Sequence, residues 1–193
     1  MPVVDERIRC DWGNSAPEYV TYHDEEWGTP LHGDDALFER LCLEAFQSGL
    51  SWIPILRKRP AFRAAFAGFD IDAVADFTEE DHDRLMADAG IVRNRAKISA
   101  AIRNARAAQD LPDGLSALLW SFAPTVPRPR PATLADVPAT SPESTAMARE
   151  LKRRGFVFVG PTTAYALMQA TGMVDDHVAD CFRAHRRSEP ARG

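Results

Sequence analysis

Cysteine is scarce in this chain. Three residues among 193, at Cys10, Cys42 and Cys181, are odd in number and far apart, which excludes the framework of a disulfide-stapled domain and leaves reduced thiols or metal ligands. No apolar run approaches the roughly 20 residues that span a bilayer. Met1-Pro2-Val3-Val4-Asp5-Glu6-Arg7 opens without an apolar signal core. A cytoplasmic protein with no membrane partner is therefore expected. Runs of sheet-forming length and alternation are missing too, as is any convincing repeat. An excess of positive charge is also lacking: the net charge is −5, which at first argues against a polyanionic partner.

The distribution of that charge tells more than its sum. An acidic block from Asp70 to Asp83 is followed at once by a basic one, Arg93, Arg95, Lys97, Arg103 and Arg106. Other basic clusters stand at Arg57-Lys58-Arg59, at Arg149 with Lys152-Arg153-Arg154, and at Arg183 to Arg187. A segregated field of this kind can bind phosphate locally although the total is acidic; the same runs also suit a solvated mixed surface. At 193 residues, 45% hydrophobic and 26% charged, the chain is long enough for one substantial core and too short for two.

Helix signals fill most of the length. Residues 1–33 hold aromatics and turn formers, with a short helix expected near Pro17–His23. Asp34-Asp35 offers an N-cap and a favourable charge for a helix over about Leu37–Gln47. Pro54 and Pro60 interrupt the next stretch, so a helix is expected only after Pro60, at Ala61–Phe66. Asp70–Ala75 reads as a short helix. Thr78-Glu79-Glu80-Asp81 opens another that should end on Gly90 as a left-handed cap. Arg95–Gln109 is alanine-rich and helical, so 78–109 forms a helix-turn-helix-like pair; Leu115–Phe122 follows. Six of fourteen prolines fall in Ala123–Pro142, an extended surface crossing. Ser141-Pro142 restarts a helix that Gly155 stops. An apolar hairpin, Gly155-Phe156-Val157-Phe158-Val159-Gly160-Pro161, leads into a helix at Thr162–Ala170, and Val174–Phe182 begins the last one. The expected fold class is all-α.

Two constellations carry chemistry. On the helix over Leu37–Gln47, the apolar face is Leu37, Phe38, Leu41, Ala45 and Phe46. Glu44 follows Leu37 by seven residues, so the two point within roughly 20° of each other. A carboxylate placed on a buried face costs several kcal/mol unless it finds donors; capping or pairing with a distant arginine would satisfy it as well as a functional role. The helix runs into Ser48-Gly49-Leu50-Ser51-Trp52, an apolar tip on a glycine hinge. The second constellation is His177 and Cys181, four apart and on one face if helical, together with Cys10 and His23 near the other end of the chain. Taken singly, each suits a buried thiol or a core histidine. Taken together they form a Cys2His2 set of the softness zinc favours, clamping the two ends of the chain in a closed structural site. Cys42 reads as core.

In order along the chain, Cys10-Asp11-Trp12-Gly13, Tyr19, Tyr22-His23-Asp24, Glu26-Trp27-Gly28, Leu43-Glu44, Gln47, Gly49-Leu50-Ser51-Trp52 and Asp88-Ala89-Gly90-Ile91 with Lys97-Ile98 resemble the 3-methyladenine DNA glycosylase I family. So do Arg154-Gly155-Phe156, Phe158-Val159-Gly160, Met168-Gln169-Ala170 and Asp176-His177-Val178 with Cys181. The resemblance covers about residues 10–181. It implies a helix-hairpin-helix glycosylase fold and one structural zinc on Cys10, His23, His177 and Cys181. A single domain over 1–193 follows, with a helical core at about 34–175 and zinc-clamped ends at 1–33 and 174–193.

The activity implied is monofunctional hydrolysis of the bond between 3-methyladenine and its sugar in alkylated DNA, leaving an abasic site. The implied partner is double-stranded DNA, and a monomer is expected. By resemblance Glu44 is the catalytic residue and hydrogen-bonds the adenine edge. Trp12, Tyr19, Tyr22 and Trp52 are the pocket walls, with Trp27 as core. Methylation makes the attached base a cation and a good leaving group, so a snug aromatic pocket serves better than a strong acid. Gly155, Phe158, Gly160 and Thr162 would hold DNA phosphate, and Leu50 on Gly49 would fill the gap left by the extruded nucleotide. Bifunctional relatives place a lysine where Thr162 stands, which removes a lyase step. The superfamily's catalytic aspartate falls on Asp175 in Val174-Asp175-Asp176-His177, where this family usually has asparagine. Asp175 is then either an anion near the sugar or a cap on the last helix beside the zinc. Other alkylated purines, and a catalytically silent DNA binder, are the alternatives.

Overall fold

In the computed structural model, which describes residues 6–186, the chain runs through α1 (Pro17–Thr21), α2 (Asp34–Gln47), α3 (Trp52–Ala65), α4 (Ile71–Ala75), α5 (Glu79–Ala87), α6 (Arg95–Gln109), α7 (Gly114–Trp120), α8 (Pro142–Arg153), α9 (Pro161–Ala170) and α10 (Phe182–Arg186). There is no strand among the described residues. Residues 1–5 and 187–193 of the two expected end segments, and with them part of the last basic cluster, lie outside the described residues.

The central helix is α2, packed against α3, α4, α6, α7 and α9. Its apolar side, Leu37, Phe38, Leu41 and Phe46, is fully buried, and Phe46 meets Phe62 with ring centroids 4.7 Å apart. The helix begins three residues earlier than its apolar pattern suggests. Asp34 and Asp35 lie inside the first turn, and Gly33 is the N-cap. Their carboxylates serve neighbouring helices instead: Asp34 accepts from the Ser116 amide at 2.8 Å and Asp35 from the Ile71 amide at 3.0 Å. Each thus satisfies an orphan donor at the start of α7 or α4.

Other departures are equally local. Pro54 and Pro60 both lie within one helix, α3. Pro54 sits in the first turn, where no intrahelical N–H bond is lost, and Pro60 forfeits one bond that burial of Ile55, Phe62 and Ala65 outweighs. Helix α5 opens on the Thr78–Asp81 capping box as expected, but ends at Ala87 with Asp88 as an extended cap. Gly90 instead donates its amide to the Asp88 carboxylate at 2.7 Å.

The last expected helix, over Val174–Phe182, does not form; 174–181 is irregular and α10 starts at Phe182. The cause is local. Asp175 competes for the backbone by accepting from the His177 amide at 3.3 Å, a turn-forming bond. The segment then docks on the N-terminal one, with Phe182 donating to the Ile8 carbonyl at 2.8 Å.

Candidate functional site

Two adjacent sites draw on the same stretch of the chain. After α1 the backbone widens into a single π-type turn over Tyr22–Glu26, closed by Trp27 N–H to Tyr22 C=O at 2.8 Å. Such turns recur where side chains must be aimed. Here successive residues face opposite ways: Tyr22 into an aromatic cavity and His23 into a cluster of sulfur and imidazole.

The cavity measures about 420 Å³, and all five residues expected at the base pocket line it: Trp12, Tyr19, Tyr22, Glu44 and Trp52. Trp12 meets Tyr19 edge-on at 5.7 Å, and Tyr22 lies tilted against Trp52 at 5.7 Å. The Trp52 indole N–H is buried with no hydrogen-bond partner. Tyr22 is held from behind: Arg40 donates to its hydroxyl at 3.3 Å and to Glu26 at 3.2 Å, while Arg59 clamps Glu26 with bonds of 2.6 and 2.7 Å.

Glu44 is 6% exposed. Among the described residues no group donates a hydrogen bond to its carboxylate. Burial therefore pushes it up to about 7, with Arg40, one turn earlier on α2, pulling weakly the other way.

The C-terminus of α2 is anchored by Lys97 of α6. Its ammonium donates to the carbonyls of Phe46 at 2.8 Å and Ser48 at 2.6 Å, so the cation also complements the helix dipole. Gly49 follows with φ of +82°, a conformation that only glycine adopts freely. The turn is closed by Gln47 Nε2 on the Leu50 carbonyl. Leu50 is left 43% exposed at the tip, between the cavity residues Gln47 and Trp52.

Sequence reasoning missed several lining residues. Trp27, expected as core, borders the cavity and packs edge-on against Trp12 at 5.1 Å. Gln169 and Asp176 form another wall; Tyr165 donates to Asp176 Oδ2 at 2.5 Å and Gln169 donates to the same oxygen at 2.9 Å. Leu134 and Val137 reach the cavity from the proline-rich crossing, whose composition carries no mark of such a role. Asp175 does not line the cavity. It accepts from His177 Nδ1 at 2.8 Å and pairs with Arg130 at 3.0 Å; nor does it cap the last helix, which begins seven residues later.

The second site joins the two chain ends. The ligand atoms of Cys10, His23 and Cys181 all lie within 4.8 Å of one another and are buried, with Cys181 Sγ 3.4 Å from His23 Nε2. The fourth expected ligand, His177, is not part of this group of three; its ring lies beside that of His23, centroids 5.2 Å apart. The proximity arises from an irregular segment rather than from the expected helix spacing. Each histidine hands its Nδ1 to a carboxylate: His23 to Asp24 at 2.9 Å and His177 to Asp175. Asp24 is itself clamped by Arg9 at 2.7 and 2.8 Å. Both Nε2 atoms are thereby presented inward, and that of His177 is buried without a partner. Gly28 permits this approach, because a Cβ there would stand 2.6 Å from the His177 ring at φ of +73°. Burial, reinforced by Cys181, pushes the Cys10 thiol up to about 12, so that sulfur stays protonated unless a cation neutralises it. Cys42 is buried apart from both sites.

The segment between α8 and α9 presents a third feature. Gly155 and Phe158 adopt φ of +95° and +59°, and Phe158 stands 45% exposed. Asn104 of α6, itself buried, braces the loop by donating to the Val157 carbonyl at 3.0 Å and accepting from the Val157 amide at 2.8 Å. Gly160 caps α9 and Pro161 occupies its first position, with Thr162 exposed beside it.

A methyladenine glycosylase family model matches residues 12–184. The DNA-3-methyladenine glycosylase 1 of Escherichia coli is 46% identical over 177 residues, covering 90% of this chain and 95% of that protein. A crystal structure of 3-methyladenine DNA glycosylase I superposes with a TM-score of 0.87 at 45% identity, over 91% of this chain and 98% of the other. A variant of such an enzyme in complex with 3-methyladenine gives 0.85 at 35% identity, over 90% and 96%. With an aromatic cavity closed by one buried glutamate, and with matches that span nine-tenths of its length, the chain belongs to the methyladenine glycosylase family.

Proposed function

We infer that the protein is a DNA repair glycosylase that hydrolyses the bond between 3-methyladenine and deoxyribose, releasing the free base. The observation that carries this reading is Glu44, a buried carboxylate without a donor among the described residues, at the wall of an aromatic cavity. In the nucleotide the methylated base is a cation. Its exocyclic amine supplies the proton donor that Glu44 lacks, and its charge favours the ionised form that burial opposes. Tyr19, Tyr22, Trp12 and Trp52 offer faces and edges that stack on and attract an electron-poor ring. The base departs neutral, so no strong acid is needed. No lysine lines the cavity among the described residues, and Lys97 is committed to carbonyls, which supports hydrolysis without a Schiff base.

DNA handling follows from the other features. The loop of residues 155–160 is read as the hairpin of a helix-hairpin-helix element. Its support is the braced backbone around Val157 and the free amides at the start of α9, both suited to a phosphate held without regard to sequence. Leu50 is read as the wedge that occupies the space of the extruded nucleotide. Cys10, His23, His177 and Cys181 fit a structural zinc, on the strength of the partnerless His177 nitrogen and the paired buried thiols. The ion would tie the segment bearing Trp12 and Tyr22 to the one bearing Asp176, and takes no part in the chemistry. Among the described residues no helix is long and apolar enough to cross a membrane.

The test is release of bases from methylated duplex DNA, identified by chromatography. The wild-type protein should release 3-methyladenine, and Glu44→Ala should lose most of that activity. An undiminished rate for Glu44→Ala would overturn the pocket assignment. Metal analysis of the purified protein that finds no zinc would overturn the clamp.

A further inference from the structure

Hydrolysis moves a positive charge from the base to the sugar. The glycosidic bond breaks with its electron pair leaving on the base, which departs as neutral 3-methyladenine. The anomeric carbon and ring oxygen take up the charge; water then donates a lone pair to that carbon and loses a proton to bulk solvent. Glu44 serves the base in this scheme, so the sugar cation needs an anion elsewhere.

Resting on the glycosylase reading, we propose that Asp176 is a second catalytic residue, the carboxylate that faces the sugar and stabilises the positive charge as it arrives there. Three observations converge on it. Asp176 lines the aromatic cavity and is 6% exposed. Its two donors, Tyr165 and Gln169, both engage Oδ2, so the side chain is held rigidly while no described group donates to Oδ1. It is tied to Tyr165 and Gln169 of α9, whereas Glu44 stands on α2. The neighbouring Asp175, which the sequence pattern singles out, is spoken for by His177 and Arg130. Asp176 forms no bond in the step. It acts by position and charge, which a preorganised group in a water-poor cavity does efficiently.

The experiment compares duplexes carrying a cationic pyrrolidine or a neutral tetrahydrofuran in place of the target nucleotide, together with single-turnover release of 3-methyladenine. The wild-type protein should bind the pyrrolidine duplex about 10-fold or more tightly than the tetrahydrofuran one. Asp176→Asn should abolish that preference and slow release by about 100-fold, with its affinity for free 3-methyladenine and its melting temperature near wild type. Tyr165→Phe keeps the carboxylate but loosens its anchor, and serves if Asp176→Asn does not fold; preference and rate should then fall together by several-fold. A wild-type protein without the preference, a variant that retains it, or a parallel loss of free-base affinity would each overturn the proposal. Failure of the wild-type protein to release 3-methyladenine would instead overturn the glycosylase reading beneath it.

Discussion

Replacing Glu44 by glutamine should make the protein more stable and less active, and the gain in stability should depend on pH. Burial raises Glu44 from an ordinary 4.5 to about 7. At about 1.4 kcal/mol per tenfold change in proton affinity, keeping it ionised in the folded state costs on the order of 3 kcal/mol. The folded protein holds this proton more tightly than the unfolded chain. Stability is therefore greatest below the unfolded value near 4.5 and declines as pH rises toward 7, where the full cost is reached. Glutamine is neutral throughout and escapes the cost. At pH 8 the variant should gain about 3 kcal/mol over wild type, and at pH 5 only about 1 kcal/mol. The difference of about 2 kcal/mol amounts to roughly 4–8 °C in melting temperature for a chain of this size. Thermal melts of both proteins at the two pH values, at equal metal content, measure it. Any constant effect of the amide cancels between them, as does partial loss of metal at low pH. A glutamine-minus-wild-type difference that is the same at pH 5 and pH 8 would refute the reasoning, because Glu44 would then have to be fully ionised, or fully solvated, across that range. The same variant should bind free 3-methyladenine more weakly, as the amide replaces one acceptor for the exocyclic amine of the base by a donor.

Three further perturbations test the supports of the site. Lys97→Met removes two charge-assisted bonds from the end of α2 and should cost about 1–3 kcal/mol; in denaturant titrations the midpoint should fall, and base release from duplex DNA should fall more than affinity for the free base, since the Leu50 turn is what loosens. Asn104→Leu unbraces the loop between α8 and α9, leaving the Val157 carbonyl and amide without partners. Its signature is weaker binding to undamaged duplex by fluorescence anisotropy with free-base affinity unchanged, and equal DNA affinity would dissociate the loop from phosphate binding. Removal of metal by a chelator, or His177→Ala, should lower the melting temperature and make the segments around Cys10 and Cys181 the first to exchange amide hydrogens; a melting temperature indifferent to chelator would count against a metal-dependent clamp.

Much of this protein was determined locally and is therefore readable along the chain. Helices α5, α8 and α9 announce themselves through Thr78, Ser141 and Pro161, and α6 through its alanine-rich run, because capping and helix propensity act within one or two turns. Glu44 on an apolar face and the Gly49-Leu50 tip are likewise properties of spacing. What tertiary structure alone decided is where side chains meet when no regular periodicity governs them. Packing of Ile55 and Phe62 overrode the helix-breaking tendency of Pro60. Asn104 braces a loop fifty residues distant, and Leu134 and Val137 enter the cavity from a segment whose composition suggests only a surface crossing. The sharpest case is Asp175-Asp176. In the irregular stretch after α9, neighbouring residues can face opposite ways, and the direction each takes is set by what the segment docks against. His177 and Arg130 capture the first carboxylate and Tyr165 and Gln169 the second, so the cysteine–histidine cluster receives the residue that the motif singles out and the cavity receives its neighbour.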